Sequence, residues 1–241
     1  NNQLTSLDVR NGNNINFLSF NSSANPDLNC ISVDNISWSD THWTNIDSQH
    51  YYSNNCNLLK TYVPDNNFEQ ALINLGYDNV LDDTVITANI NTVTSLDVSL
   101  QNISDLTGIQ SFSSLTELYC WYNQLDSLDL SYNTALTDLF CNNNQLTYLN
   151  VSQNTALEQM WCGNNQLTSL DISNDTALIV LRCEDNQLTS LDIRNGNNAN
   201  ISSANFKAAN NSLICIDVDD VAYSIANWTN IDPGALFGTN C

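Results

Sequence analysis

Basic side chains are scarce in this 241-residue chain: five Lys and Arg stand against 26 Asp and Glu, a formal net charge of −21. That imbalance repels a nucleic-acid backbone and an anionic membrane surface, so neither is expected as a partner. No apolar run approaches the roughly 18 residues of a membrane helix, so direct membrane insertion is not expected either. There is no signal peptide and no Met at residue 1, and the chain therefore reads as part of a longer precursor. Catalytic signatures are equally thin. No phosphate loop, zinc-protease helix motif or G-x-S-x-G elbow occurs, and His42 and His50 are the only imidazoles. No catalytic residue, and no enzyme activity, is expected. What is present in excess is Asn, about one residue in six, a bias that points to one short pattern written many times. Five Trp, nine Tyr and 42% hydrophobic residues are enough for a packed core despite the acidity.

The pattern is a repeat. Cys120, Cys141, Cys162 and Cys183 recur every 21 residues, inside LTELYCWYNQLDSLDLSYNTA, LTDLFCNNNQLTYLNVSQNTA, LEQMWCGNNQLTSLDISNDTA and LIVLRCEDNQLTSLDIRNGNN. Each copy begins L-x-x-L-x-C-x-x-N-x-L, with Met160 once in place of Leu, and an irregular copy of 22 residues, Val93–Ser114, precedes them. This resembles the leucine-rich repeat, with Cys where Leu is commoner. The alternation supports the resemblance on its own terms: Leu118 and Cys120 are two apart and share one strand face, so Tyr119 faces the other way. Coils stacked in register would form a parallel sheet with strands about 4.8 Å apart and one continuous core. Asn123, Asn144, Asn165 and Asn186 follow each strand, where their amides can satisfy turn groups. The fold class expected is a leucine-rich repeat solenoid with a parallel concave sheet, a mostly extended or short-β convex side and little helix.

A longer period overlies the first. NNQLTSLDVRNGNN…CISVDN…HWTNID…C in residues 1–56 returns as DNQLTSLDIRNGNN…CIDVDD…NWTNID…C in residues 185–241, and both Cys30–Cys215 and Cys56–Cys241 are 185 apart. Residues 1–56 thus read as the last repeat and cap of a preceding domain. Residues 57–92 form an N-terminal cap, 93–198 the coils, and 199–241 a cap strand and closing cap, within a tandem array of neighbouring copies. Leu58–Asn79 carries Pro64-Asp65 as a helix start, Phe68, Ala71, Leu72 and Leu75 at helical spacing, and Gly76 as a stop. Leader, Cys-bearing repeats and W-T-N-I-D cap together resemble the secreted leucine-rich repeat proteins of Bacteroidota marine bacteria and, more distantly, the internalin group. The resemblance implies a secreted or cell-surface interaction module whose partner is a protein or glycan.

Cys30/Cys56 and Cys215/Cys241 occupy equivalent cap positions and read as two disulfides, which imply export. The alternative, two zinc sites drawing on His42 and His50, lacks four-ligand spacing. The four repeat cysteines read as buried free thiols, because in-register Cβ atoms about 4.8 Å apart exceed the roughly 3.8 Å that a disulfide favours.

The outward strand row reads Asp97, Tyr119, Phe140, Trp161, Arg182 and Lys207, with Trp121 and Tyr122 at its margin. Three successive outward aromatics, continued by two cations, make Tyr119, Trp121, Tyr122, Phe140, Trp161, Arg182 and Lys207 the candidate ligand-binding residues. Cross-strand stacking that merely stabilises the sheet is the plainer account. On the convex side Asp129, Asn150, Asp171 and Asp192 form a ladder, with Asp217, Asp219 and Asp220 in the cap; Ca2+ or solvent screening would relieve its repulsion, and no complete calcium loop occurs. No other cofactor or metal is expected. The Bacteroidota resemblance also implies O-glycosylation in Asp-Ser/Thr-aliphatic triplets, at Thr84, Ser127 and Thr176. Function is thus expected to be extracellular binding through the aromatic strip. A stalk or filament spacer is the alternative, and a non-catalytic accessory domain of a surface enzyme a weaker one.

Overall fold

The computed structural model describes residues 3–17, 19–26, 28, 30–48, 50–56 and 59–241, so residues 1, 57 and Leu58, where expected segments begin, lie outside the described residues. The chain divides into two compact units, Asn1–Leu59 and Lys60–Cys241.

The first unit holds the segment expected to form a cap. Strands β1 (Leu7–Asp8), β2 (Cys30–Ser32) and β3 (Tyr51–Ser53) pair in parallel in that order, with helix α1 (Ile36–His42) between the last two. The Asn35 side chain starts α1 by accepting from the Trp38 amide. Trp43, just past the helix, is buried with Leu28, Ile31, Val33 and Tyr52, and Phe20 stacks on its ring with centroids 4.2 Å apart. A disulfide joins Cys30 and Cys56, their Cα atoms 5.6 Å apart.

The second unit opens with β4 (Lys60–Tyr62), helix α2 (Asn66–Asn74) and β5 (Thr84–Ile86), the two strands antiparallel. The helix forms where the sequence predicts it. Asp65 is its N-cap, accepting from the Asn67 and Phe68 amides at 2.8 and 3.0 Å. Phe68, Ala71 and Leu72 are buried in the main core. Leu75 is not: the helix ends at Asn74, and Leu75 is exposed beside the left-handed Gly76. The second Asp65 oxygen reaches Ser104 and the Asp105 amide, tying the cap to the first coil.

After a short helix α3 (Thr87–Ile90), the coils deliver β6 (Ser95–Asp97), β7 (Glu117–Tyr119), β8 (Asp138–Phe140), β9 (Gln159–Trp161) and β10 (Val180–Arg182). The chain then runs through β11 (Leu191–Asp192), β12 (Phe206–Lys207), β13 (Cys215–Asp217), helix α4 (Val221–Asn227) and β14 (Leu236–Gly238). One parallel six-stranded sheet has the order β12-β10-β9-β8-β7-β6, and a parallel three-stranded sheet has the order β11-β13-β14. Leu96, Leu118, Leu139, Met160, Leu181 and Phe206 pair in register along the long sheet and point into the core. Each such burial stabilises by roughly 1.5–3 kcal/mol.

Cys120, Cys141, Cys162 and Cys183 are buried free thiols. Burial pushes the Cys120 thiol up to about 12 and the other three well above their ordinary value, so they pack as small apolar groups. The Asn ladder closes the turns. Asn144, Asn165 and Asn186 each donate to the carbonyls of their own Cys and of the Cys one coil back, and each accepts one backbone amide. Cys215 and Cys241 form the second disulfide, Cα atoms 5.8 Å apart.

Candidate functional site

The outward row of the long sheet is continuous. Asp97, Tyr119, Phe140, Trp161, Arg182 and Lys207 face one another in successive registers. Strand spacing forces their side chains together. Tyr119 and Phe140 stack with centroids 4.8 Å apart at 13°, Phe140 meets Trp161 at 5.2 Å and 51°, and the Arg182 guanidinium lies 3.9 Å from the Trp161 ring centre. The rings are therefore half-buried against one another rather than open to solvent as the alternation alone predicts. Glu117 and Asp138 flank Tyr119 on the neighbouring outward row, and Ser95 and Gln159 hydrogen-bond them at 2.8 and 2.6 Å. Desolvation, then Glu117 and Asp138, raise the Tyr119 hydroxyl above its ordinary pKa.

The margin holds a feature that sequence reading only half found. Each coil turns out of its strand through a left-handed residue: Asn143, Asn164, Asp185 and Asn210 in four of them. Asn and Asp tolerate that conformation. The first two coils place Leu100 and Tyr122 there instead, at φ of 60° and 53°. Both are exposed, 60% and 54%, and Tyr122 meets Trp121 edge-on at 5.5 Å. Tyr122 is one of the expected site residues; Leu100, its counterpart one coil earlier, is not among them. Its signal was its alignment with Tyr122 two residues past the inward Val98, in a copy irregular enough to hide it.

The acidic ladder is structural in its details. Asp129 faces Asn150, Asp171 faces Asp192, and Asp192 faces Asp217. One oxygen each of Asp129, Asn150, Asp171 and Asp192 accepts the amide two residues on, at 3.0 Å in every case. Arg194 grips Asp192 and lies 3.9 Å from Asp217. Among the described residues no group of three or more His, Cys, Asp or Glu is placed to hold a metal ion. A groove of about 910 Å³ runs along this side between Tyr148 and Ile214.

The histidines lie in the first unit, where Cys30 and Cys56 are joined to each other. His50 is buried, with Ser22 Oγ 3.1 Å from Nδ1 and the Asn25 carbonyl 3.3 Å from Nε2. Ser22 is itself buried, so the contact is part of a core rather than an exposed nucleophile. His42 stacks on Trp38 at 4.3 Å. Of the glycosylation triplets, Ser127 and Thr176 are exposed, while Thr84 lies in β5 with its hydroxyl between Asp82 and Lys60 Nζ. Asp175, beside Thr176, is buried and its carboxyl accepts no hydrogen bond; burial, then Asp171, raises its pKa to about 7.

Leucine-rich coils stacked on a Cys ladder define the fold class, and known proteins share it. Over 73 residues the chain is 39% identical to internalin J of Listeria monocytogenes serotype 4b (strain F2365), a stretch covering 30% of this chain and 8% of that protein. A solved structure of the functional domain of InlJ from Listeria monocytogenes, which includes a cysteine ladder, is similar at TM-score 0.57 and 29% identity, over 72% of this chain and 43% of that one. An internalin InlF structure from L. monocytogenes str. 4b F2365 has TM-score 0.57 at 17% identity, over 72% and 57%, a likeness of fold alone. No protein-family model matches the chain. The architecture is internalin-like, and the chain spans less than half of the internalin J structure it resembles. No helix among the described residues is long and apolar enough to cross a membrane.

Proposed function

We propose that this chain is an extracellular recognition module, a leucine-rich repeat solenoid whose concave sheet binds a partner protein through Tyr119, Phe140 and Trp161. Trp121, Tyr122 and Leu100 form its margin, and Arg182 and Lys207 continue the row. The observation that carries the reading is the margin. Two apolar side chains occupy left-handed turn positions that later coils give to Asn or Asp, and they are exposed beside the aromatic row. A backbone conformation that disfavours these residues is kept where an exposed apolar surface results.

A protein partner fits better than a glycan. A sugar ring stacks on an open aromatic face, but here Tyr119 and Phe140 cover each other and Arg182 covers Trp161. What remains outward is ring edge, suited to apolar and aromatic side chains. The two disulfides and the internalin likeness support export and surface exposure. A spacer role in a tandem array is the second reading, favoured by the same stacking, which stabilises the sheet without any ligand.

Photo-crosslinking tests the choice. A photoreactive phenylalanine at Phe140 should trap a protein on native cell surfaces, and one at Tyr148, on the far side of the coil, should not. Equal trapping at both positions, or at neither, would favour the spacer; retention on a glycan array with no protein trapped would reassign the ligand.

A further inference from the structure

We propose that Arg182 and Lys207 form the anion-binding end of this face, taking one carboxylate of a partner protein that stands next to apolar side chains. This rests on reading the face as a protein-binding surface, and it adds the chemistry and direction of what binds.

Three of the five basic residues are consumed internally: Arg10 by Asp8, Lys60 by Asp82 and Arg194 by Asp192, at 2.6, 3.1 and 2.5 Å. The other two are Arg182 and Lys207. Among the described residues neither has a carboxylate oxygen within 4.0 Å, although the chain carries 26 acids. They are also register partners on adjacent strands. Two unpaired cations side by side repel each other, and an anion between them removes that repulsion.

The local geometry prepares Arg182 for this. Its guanidinium carbon lies 3.9 Å from the centre of the Trp161 ring, a cation–π contact that holds the side chain in place. Arg182 Nε and Trp161 Nε1 are both shielded from solvent and have no acceptor among the described residues. The acid two residues on from Arg182, Glu184, makes no ion pair with it among the described residues. Its side chain lies over Gly163, where an added Cβ would stand 3.3 Å from Glu184 Cδ. One Glu184 oxygen is likewise shielded and unpartnered, which makes it an internal competitor for the cation rather than its partner. At the other end of the row stands Asp97, with Glu117 and Asp138 on the neighbouring outward row. The face therefore runs from acidic, through aromatic, to basic.

A single carboxylate fits this end better than a polyanion. A net charge of −21 repels a multiply charged chain at long range, whereas one acid beside apolar groups meets the two cations and the ring edges together.

Two synthetic peptide amides test it on the full chain, an acetylated Glu-Leu-Phe-Leu and its Lys-Leu-Phe-Leu counterpart, followed by NMR of the Arg182 Nε–H and Trp161 indole N–H. The acidic peptide should bind with a preference of about tenfold, lost in Arg182→Gln and in Lys207→Gln and increased in Glu184→Gln. Phe140→Ala should weaken both peptides alike. If both peptides bind equally, if neither shifts these protons, or if Arg182→Gln leaves the preference intact, the anion site is wrong. Phe140→Ala separates the two ideas: loss of both peptides there with no effect of Arg182→Gln leaves the aromatic face standing and removes only this site. Stronger competition by a sulfated disaccharide than by the acidic peptide would assign the cations to a glycan and overturn the proposal.

Discussion

The two disulfide-closed caps are the same device built twice, and their few differences are more informative than their agreement. In both, an Arg two residues past the strand grips an Asp and donates at 2.8 Å to a carbonyl near the chain's exit: Arg10 to Asp8 and Asn54, Arg194 to Asp192 and Thr239. In both, a Phe stacks on the Trp that follows the cap helix, Phe20 on Trp43 and Phe206 on Trp228, at 4.2 and 4.1 Å. Asp47 and Asp232 both accept backbone amides at this turn. The residue after the stacked Phe is Asn21 in one cap and Lys207 in the other. The framework is satisfied either way, so the unpaired Lys207 owes nothing to it. The general lesson is that bonds repeated from copy to copy hold the fold, and departures from the repeat either serve something else or destabilise.

Breaking the framework has the largest expected effect. Cys215→Ser and Cys30→Ser each open a link across a sequence separation of 26 residues and should cost about 3–4 kcal/mol locally. Amide exchange should rise first in β13–β14 for one variant and β2–β3 for the other, to similar extents. Unequal losses would mean that the two caps are not equivalent.

Asp175 departs from a ladder in which its neighbours are Asn. Asn133 and Asn154 each donate two bonds to carbonyls of the preceding coil, and Asn195 donates one to the Asp175 carbonyl. A carboxylate has no such proton to give. Its folded pKa of about 7 exceeds the unfolded value near 3.9, so between those pH values the unfolded chain releases a proton that the folded chain keeps. Stability at this site is intact below about pH 4, falls as pH rises and levels off above about pH 7. Asp175→Asn should therefore stabilise by about 3 kcal/mol at pH 8 and far less at pH 4, as read by urea unfolding. A gain independent of pH would show that the carboxyl is solvated.

Tyr122→Asn restores the residue that other coils use at the left-handed turn. It should leave stability unchanged or raise it by about 1 kcal/mol in thermal unfolding, while reducing crosslinking through Phe140. The smallest effect belongs to Lys207→Asn, which copies the first cap and should shift stability by less than about 0.5 kcal/mol.

Much of this was legible in sequence, because a repeat turns spacing into structure. The 21-residue recurrence of Cys120 to Cys183 set the register of the long sheet, and the Asn after each Cys marked the turn. Asp65 and Phe68, Ala71 and Leu72 marked α2. The helices α1 and α4 were hidden, each seven residues long and too short for a period to emerge beside the disulfide-bearing strands. The β4–β5 pairing joins segments separated by a helix, which alternation within either strand does not reveal. Asp175 stood in plain view in the Asn ladder, but only burial distinguishes it from the chain's many solvated acids. The ring row was visible as well. That its members would cover one another's faces, and so favour side chains over sugars, required three dimensions.

The central claim is that the aromatic row binds rather than merely braces. The decisive measurement is the pair Phe140→Ala and Trp161→Ala, assayed together for unfolding free energy and for protein crosslinking from Tyr122 replaced by a photoreactive residue. The account predicts a loss of roughly 1–2 kcal/mol in stability, from the ring contacts and the Arg182 stack, with crosslinking abolished in both variants. Loss of several kcal/mol with crosslinking retained would contradict it and leave the row as a structural seam.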